Sequence, residues 1–366
     1  MKALRVLVVG GGHLGKIHLK LLHDHSANAR LPEIVPVGLV EPTAAVREGL
    51  SQQWNLPAFE SLEECDANFD AAIIATPTRT HFDVARRLLL RGKHLLIEKP
   101  LTFTARESQQ LSDMAKDRGL VIQVGHVERF NPVYQAARDC IERPRYIELN
   151  RASRFTGRST DVGVVMDLMI HDIDLMLNLV QAEVHRVEAL GVSVFGDHED
   201  MAQARVTFTN GTVVNLWASR CSYTPQRTVK IFGTNGFVHA DLTSRQVTTV
   251  TAPEDIQSKR VIFNRLSPEA KRNLTEQLFE QVLPQQSFEV PGSNPLLDEQ
   301  ADFFQAIATG SQNQVTADDG HRAVVVANQI LAAIRAHAWT EDTYGPRGPL
   351  VAIDQFMNHE PQRQVA

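Results

Sequence analysis

The sequence predicts an α/β protein with two domains: an N-terminal doubly wound parallel sheet, and a C-terminal α+β domain with a large, mostly antiparallel open sheet. Three observations support this fold class. The first third of the chain alternates short aliphatic runs with helix patterns, a glycine-rich turn follows the first run, and hairpin patterns come after about residue 130. A chain of 366 residues is also too long for one ordinary core.

The N-terminal strands are short aliphatic runs without polar alternation, which is typical of strands buried on both faces of a parallel sheet. They are predicted at Arg5–Val9, Ile34–Val40, Ala71–Ala75, His94–Ile97 and Leu120–Val124. A hydroxyl followed three places later by an acid predicts capping boxes, and thus helix starts, at Thr80 and Thr104. The first helix is expected from Lys16 to about His25.

The second domain begins with a helix after Pro132, a strand from Arg145 and a strongly apolar helix from Gly163 to Val180. Long strands in hairpins follow. Asn210-Gly211 and Asn235-Gly236 each separate two strand patterns, and an Asn-Gly pair in that position favours a type I′ turn with positive φ at both residues.

The last part of the chain is less regular. Residues 253–291 have the pattern of an insertion with a helix that opens at Ser267, and helices at Leu296–Thr309 and Gly320–His337 close the fold. The predicted division is therefore residues 1–130 for the first domain, 131–342 for the second and 343–366 for a loop-like tail.

Composition excludes several classes of protein. With 43% hydrophobic and 22% charged residues the chain is globular, and a net charge of -6 gives no support for a nucleic-acid partner. No apolar stretch is long and charge-free enough to suggest a membrane partner. Three distant cysteines without a C-x-x-C pair indicate neither a disulfide framework nor a zinc knuckle, and favour a reduced, cytoplasmic protein.

A dinucleotide site is predicted at the first strand–helix turn. Gly10, Gly12 and Gly15 fit G-x-G-x-x-G, and the motif gains weight because it follows a buried strand and opens a helix. Glu41 ends the second strand at the distance where a carboxylate binds the adenosine ribose and repels a 2′-phosphate, which favours NAD as the cofactor. The alternative for Glu41 is a solvated side chain after a strand.

Two further strand ends add residues to this edge of the sheet. Thr76-Pro77-Thr78 and Glu98-Lys99-Pro100 each follow a strand at its carboxyl end, where ligands of open α/β sheets bind. Lys99 would point at the nicotinamide end of the crevice and is a candidate acid or base, although most lysines are solvated surface charges. The expected cofactor-binding residues are Gly10, Gly12, His13, Leu14, Gly15, Glu41, Thr76, Pro77, Thr78, His81, Glu98 and Lys99.

The apolar helix carries one polar stripe, Asp167, His171, Asp174 and Asn178, at steps of four, three and four. Buried ionisable groups are costly unless they are paired or used, so Asp167 and His171 are candidate catalytic residues. The alternative is a structural hydrogen-bond network, which suits Asp174 and Asn178 best, and Asp172 lies off the stripe. No metal is expected, because His13, His18, His23 and His25 share no helical face.

Together the glycine motif, the acid after the second strand, Glu98-Lys99-Pro100 and Asp167…His171 resemble the glucose–fructose oxidoreductase/inositol dehydrogenase/MocA family, over about residues 4–337. The resemblance implies a Rossmann domain, Lys99 and His171 as the acid/base pair with Asp167 assisting, and a cis bond between Lys99 and Pro100. It also implies a homodimer or homotetramer joined through the open sheet.

Three stretches, 124–132, 161–174 and 198–200 with 218–220, resemble the UDP-N-acetylglucosamine 3-dehydrogenase branch of that family. This implies a nucleotide-sugar substrate that is oxidised at its 3-hydroxyl. Arginine forks suit phosphate, so Arg129, Arg154, Arg158 and Arg220 are candidate diphosphate ligands beside Asp174 as a substrate residue. Oxidation of a free polyol or hexose, and a regulator that binds a dinucleotide without chemistry, are the alternatives. Which of Lys99 and His171 is the base stays open.

Overall fold

The structure, a computed structural model, describes residues 3–24, 31–157, 162–195, 197–260 and 262–337. In this part of the chain the first sheet has six strands in the order β3-β2-β1-β4-β5-β6, all parallel. The five predicted strands are confirmed. The sequence did not indicate β3, since a two-residue edge strand leaves no recognisable pattern. The strands are β1 Leu4–Val9, β2 Ile34–Val40, β3 Ala58–Phe59, β4 Ala71–Ile74, β5 His94–Glu98 and β6 Ile122–Gly125.

Four helices connect these strands: α1 His13–Asp24, α2 Ala44–Trp54, α3 Thr78–Leu90 and α4 Ala105–Arg118. The capping box at Thr104 is confirmed, with the Thr104 side chain and Glu107 bonded to each other's backbone amides. The helix start predicted at Thr80 is wrong, because α3 begins two residues earlier. The Thr80 hydroxyl oxygen instead lies 2.8 Å from both the Pro77 carbonyl and the Thr76 hydroxyl.

The second sheet has eight strands in the order β14-β13-β12-β11-β7-β10-β9-β8 and is antiparallel except between β7 and β10. Burial alternates along β9, where the inward residues Ala202, Ala204, Val206 and Phe208 lie in the core. One face is therefore covered and the other is open. The strands are β7 Pro144–Ala152, β8 Val184–Val192, β9 Met201–Phe208, β10 Val213–Ser219, β11 Gln226–Gly233, β12 Gly236–Asp241, β13 Gln246–Thr251 and β14 Gln285–Glu289.

Both Asn-Gly hairpins are confirmed, between β9 and β10 and between β11 and β12. The type I′ geometry is wrong, because neither Asn210 nor Asn235 has a positive φ. The Asn210 side chain instead accepts a hydrogen bond from the Thr212 amide at 3.0 Å, and this local bond shapes the turn.

Helices α5 Pro132–Asp139 and α6 Ile170–Leu179 pack on the covered face. The predicted helix at 163–180 is a π-helical segment, Val165–Met169, that continues into α6. Between β13 and β14 lie α7 Glu254–Gln257, a 3₁₀ turn Phe263–Arg265, α8 Pro268–Gln277 and a second π-helical segment, Leu278–Val282. The predicted cap is confirmed, since the Ser267 side chain accepts from the Ala270 amide, and no residue of α7 or α8 is buried.

The last two described helices, α9 Pro295–Thr309 and α10 Ala317–Ala336, return the chain to the first domain. Phe303 and Phe304 are fully buried against β1 and β4, and Gln123 of β6 forms a bridge with Thr316. The sequence-based division at residue 130 does not anticipate this return, because it follows chain order and not packing. Within the described residues, no helix has the length and apolarity to cross a membrane.

Candidate active site

A cavity of about 290 Å³ lies at the carboxyl edge of the first sheet, between the two domains. The first domain lines it with Leu14 of α1, residues 75–78 after β4 and residues 98–100 after β5. The second domain closes it with Val162, Met166 and Asp167. The structure therefore brings the glycine turn, two of the predicted strand-end motifs and the polar stripe to one place.

The glycine turn has the close contacts that a dinucleotide fingerprint requires. Gly10 has φ +104°, and a Cβ on it would lie 2.5 Å from the Ala75 carbonyl oxygen. A Cβ on Gly15 would lie 1.9 Å from the Gly10 oxygen, so α1 packs directly on the turn. A Cβ on Gly12 would meet no protein atom within 4 Å, which leaves open space before the helix amides of His13 and Leu14. This space and these amides fit a diphosphate.

Glu41 is held at the end of β2 by backbone amides. Its Oε2 accepts from the Gly11 amide at 2.7 Å and its Oε1 from the Thr43 amide at 2.8 Å. The carboxylate is thus fixed beside the glycine turn, which is the position from which it can reach a ribose.

His81 lies beneath the cavity and does not line it, which differs from the expectation that it binds the cofactor directly. It is 1% exposed, and its ring nitrogens lie 2.9 Å from the Pro100 carbonyl and 2.8 Å from the Thr76 carbonyl. The side chain therefore ties together the loops after β4 and β5. The Lys99-Pro100 bond is cis, as the family resemblance implied.

Glu98 is buried and pairs with His18, whose Nε2 lies 2.8 Å from Glu98 Oε1. Gln300 of α9 contacts the other ring nitrogen of His18 at 2.8 Å. Burial alone would raise the pKa of Glu98, but the bond to His18 and the charge of Lys99 lower it. The His18 ring is fully buried, and no motif in the sequence indicates its pairing with Glu98. His25 lies outside the described residues.

Lys99 and Asp167 meet in the cavity. Lys99 Nζ donates to the Asp167 backbone carbonyl at 2.8 Å and lies 3.2 Å from its carboxylate Oδ1. Both side chains keep contact with solvent, at 16% and 23% exposure. Both acceptors, the backbone carbonyl and the carboxylate, belong to Asp167, which lies in the π-helical segment at 165–169.

His171 stands one turn beyond Asp167, at the start of α6. Burial holds its pKa well below the ordinary value, and the positive charges of Lys99 and Arg151 lower it further. The ring therefore carries no charge near neutral pH and can accept a proton. His126, which follows β6, faces it edge-on at a centroid distance of 6.5 Å. No motif in the sequence distinguishes His126, although it too comes directly after a parallel strand.

Arg129 and Asp174 are committed to each other and do not open toward the cavity. Arg129 Nε and Nη2 lie 2.7 and 2.9 Å from the two Asp174 oxygens, and both side chains are buried. Burial would lower the pKa of Arg129, but the Asp174 charge raises it. Asn178 accepts from the Tyr134 hydroxyl at 2.6 Å. Asp174 and Asn178, the last two residues of the polar stripe, thus belong to a structural network. Direct substrate contact by Arg129 or Asp174 is not supported.

The other arginines differ in exposure. Arg154 is exposed and donates to the Tyr223 carbonyl at 2.9 Å, whereas Arg220 is buried beside Asp200 and Phe155. Arg158 lies outside the described residues. Arg151, which no sequence motif indicates, is buried between Asp172 and Glu128 at 2.8 and 2.9 Å. This network anchors the start of α6 to β7 and so supports His171.

No group of three side chains suitable for a metal ion is found in the described part of the chain.

Two family models match the chain. One, described as an oxidoreductase family with an NAD-binding Rossmann fold, matches residues 4–126, and the GFO/IDH/MocA C-terminal domain matches residues 134–239. UDP-N-acetylglucosamine 3-dehydrogenase of Acidithiobacillus ferrooxidans is 40% identical over 65% of this chain and 74% of its own length. The chain belongs to the GFO/IDH/MocA family.

As a member of this family the chain is an oxidoreductase with an NAD-binding domain. A second relative, scyllo-inositol 2-dehydrogenase (NAD(+)) of Bacillus subtilis, is 30% identical over 68% of this chain and 76% of its own length. The solved structure of the Acidithiobacillus ferrooxidans enzyme superposes with a TM-score of 0.78 at 32% identity and covers 91% of this chain and 98% of that one. The α/β fold class and the family resemblance are thereby confirmed.

Proposed function

We propose that this protein oxidises the 3-hydroxyl of UDP-N-acetylglucosamine, or of a related nucleotide sugar, to a 3-oxo sugar with NAD. The observation that carries the oxidation chemistry is the meeting of Lys99 and Asp167 in the cavity next to the glycine turn, with His171 one helical turn beyond Asp167. The 40% identical relative supports the choice of substrate.

The three side chains have separate roles in this proposal. NAD, when bound, supplies the acceptor for the hydride of the carbinol carbon. His171 is uncharged near neutral pH and takes the hydroxyl proton as the general base. The Lys99 ammonium donates to the same oxygen and stabilises the negative charge that develops on it. Asp167 holds the ammonium in place through its carbonyl and its carboxylate.

The preference for NAD rests on Glu41. Its carboxylate is fixed by two amides near the ribose position and would repel the 2′-phosphate of NADP. For the diphosphate of the sugar substrate, Arg154 is the candidate with an exposed guanidinium, because Arg129 and Arg220 have buried carboxylate partners.

A second candidate is the oxidation of a free cyclic polyol, since the 30% identical relative is named for an inositol. The first experiment therefore compares kcat/KM for UDP-N-acetylglucosamine, other UDP-sugars, free hexoses and inositols, with NADH absorbance as the signal. We expect turnover with UDP-N-acetylglucosamine and little with the free sugars. Turnover confined to inositols or free hexoses would refute the substrate, and no turnover with any of these compounds would refute the dehydrogenase.

Lys99→Ala and His171→Ala test the roles within the site. We expect each to lower kcat by about 10²-fold or more, because each removes a group that handles the proton or the developing charge, while NAD binding is kept. Lys20→Ala and His185→Ala are matched controls, since both residues are exposed and remote from the cavity. Wild-type activity in both site variants would refute the assignment.

The proposal extends to a homodimer or homotetramer through the open face of the second sheet. On this face Phe232 is 41% exposed, and its ring packs beside those of Tyr146 and Phe237 on the neighbouring strands. Light scattering of the purified protein tests this, and a monomer at micromolar concentration would contradict it.

A further inference from the structure

His126 is a buried imidazole without a hydrogen-bond partner. Its side chain is 1% exposed, and neither Nδ1 nor Nε2 is paired with any group in the described part of the chain. A neutral imidazole has one donor and one acceptor. Leaving such an atom unpaired inside a protein is unfavourable, so a buried ring of this kind needs an explanation.

The backbone fixes this ring at the edge of the active site. The His126 amide donates to the Val124 carbonyl at 2.7 Å, and its carbonyl accepts from the Arg129 amide at 3.0 Å. These bonds join the end of β6 to a 3₁₀ turn, Val127–Phe130, so the side chain leaves a rigid corner. Because the ring is enclosed, it does not reach a bound substrate itself.

The group that His126 faces is His171. The two rings are nearly perpendicular, at 85°, and their centroids lie 6.5 Å apart. His171 Nδ1 is also buried and unpaired among the described residues, whereas His171 as a whole is half-buried. A direct bond between two imidazoles needs centroids about 5 Å apart, so the two rings would have to approach each other by roughly 1.5 Å. Catalytic hydrogen bonds are often long before ligands bind.

The charges around the two rings favour a neutral pair. Burial lowers the pKa of His126, and among the groups near it Arg129 and Lys99 lower it further, while Asp174 and Asp319 raise it. Burial likewise lowers the pKa of His171, and Lys99, Arg151, His126 and Arg227 add to the effect. Two uncharged imidazoles can pair as donor and acceptor, which two imidazolium rings cannot do.

We propose that His126 is the positioning residue for His171: it accepts the Nδ1–H of His171 and so leaves the Nε2 lone pair of His171 toward the substrate hydroxyl. When the hydroxyl proton moves to Nε2, the bond from Nδ1–H to His126 stabilises the imidazolium that forms. In this step one proton moves from the substrate hydroxyl oxygen to Nε2 of His171, and the Nδ1–H bond of His171 is kept. The inference rests on the proposed role of His171 as the base, but not on the identity of the sugar.

Nitrogen NMR of the ¹⁵N-histidine-labelled free protein tests the pairing without substrate. We expect His171 to be a single Nδ1–H tautomer in the wild type, and a mixture of tautomers in His126→Phe. His185→Phe, on an exposed strand position, is the matched control and should leave the His171 signals unchanged. An Nε2–H tautomer of His171 in the wild type would overturn the proposal, and this outcome does not depend on whether any variant folds.

Kinetics provide a second readout. Loss of the partner should lower kcat about 10- to 100-fold, as is found for outer partners that orient a functional imidazole, while KM and NAD affinity change less than about two-fold. The acid limb of the kcat profile should move to lower pH, since the protonated His171 loses a stabilising bond. His126→Asn keeps a polar acceptor at this corner and should restore part of the loss.

Unchanged kcat and pH profile in a folded His126→Phe would refute the proposal, even if the melting temperature falls. Failure of the proposed function is a distinct result: no sugar would turn over, while the tautomer measurement would still report the pairing.

Discussion

At the residue scale, the contact between Lys99 and Asp167 combines two different interactions. The ammonium donates to the Asp167 backbone carbonyl at 2.8 Å, and a side-chain substitution leaves this carbonyl in place. It also lies 3.2 Å from the Asp167 carboxylate, and Asp167→Asn removes the charge of that group while keeping its shape. The position of Lys99 and the charge beside it can therefore be separated experimentally.

Asp167→Asn should lower kcat about ten- to a hundred-fold, because Lys99 keeps its backbone anchor and loses the carboxylate that orients it. The dissociation constant of NAD should stay within about two-fold, since the glycine turn and Glu41 are not involved. Steady-state kinetics and fluorescence titration with NADH measure the two quantities. A loss of NAD affinity with unchanged kcat would show that Asp167 serves binding and not catalysis.

Glu41 allows a test of cofactor choice at the same scale. Glu41→Ser removes the carboxylate that accepts from the Gly11 amide, so affinity for NAD should fall and that for NADP should rise. We expect the ratio of the two dissociation constants to change by about ten-fold or more, or about 1.4 kcal/mol. Fluorescence titration of both reduced cofactors measures it. An unchanged ratio would place cofactor discrimination elsewhere.

The sequence made these residues predictable for a physical reason. Glu41, Thr76 and Lys99 each follow a parallel strand, and the carboxyl ends of parallel strands share one edge of the sheet. The partner of a residue was not predictable: nothing along the chain joins Arg129 to Asp174 or Glu98 to His18, because these pairs form between distant elements. The expectation that Arg129 contacts phosphate fails for this reason.

At the scale of elements, α10 connects the two domains and its N-terminus is capped in full. The Thr316 side chain accepts from the Asp319 amide at 3.2 Å, and the Asp319 carboxylate accepts from the Thr316 amide at 2.9 Å. Ser267 caps α8 through one bond alone, from the Ala270 amide to its side chain, and no residue of α8 is buried. Both helices thus begin with a hydroxyl cap but differ greatly in burial.

Thr316→Ala should lower the free energy of unfolding by about 1 kcal/mol, the usual cost of a lost cap, because α10 packs into both cores. Ser267→Ala is the control, and its effect on global unfolding should stay within about 0.5 kcal/mol, since α8 can fray alone. Urea denaturation followed by circular dichroism compares the two variants. Equal losses would show that α8 unfolds together with the domain cores.

The elements themselves were largely predictable from periodicity and caps. The five longer strands of the first sheet, both hairpins and the caps at Thr104 and Ser267 are confirmed. The failures are local: the π-helical segment at 165–169 has the same apolar pattern as an α-helix, and the Asn210 turn is set by a side-chain bond and not by φ. Hydrophobic periodicity is insensitive to both.

At the scale of the whole molecule, α9 inserts a carboxyl group behind the active site. Glu299 is fully buried, and neither of its oxygens has a hydrogen-bond partner among the described residues. Burial raises its pKa well above the ordinary value of 4.5, and the negative charges of Glu98, Asp302 and Asp174 raise it further. The folded protein therefore holds Glu299 protonated at pH values where the unfolded chain has lost the proton.

This difference links stability to pH. The contribution of Glu299 to stability is complete below its unfolded pKa and declines as the pH rises toward the raised folded pKa, because the folded state then binds more protons than the unfolded state.

Glu299→Gln keeps the shape of the neutral acid and removes the titration. The variant should melt at nearly the wild-type temperature near pH 4.5 and above it at alkaline pH, by about 2–4 °C for each kcal/mol. Scanning calorimetry across this pH range measures the difference, with the exposed Glu64→Gln as the control. Parallel curves for Glu299→Gln and the wild type would mean that folding does not raise the pKa of Glu299.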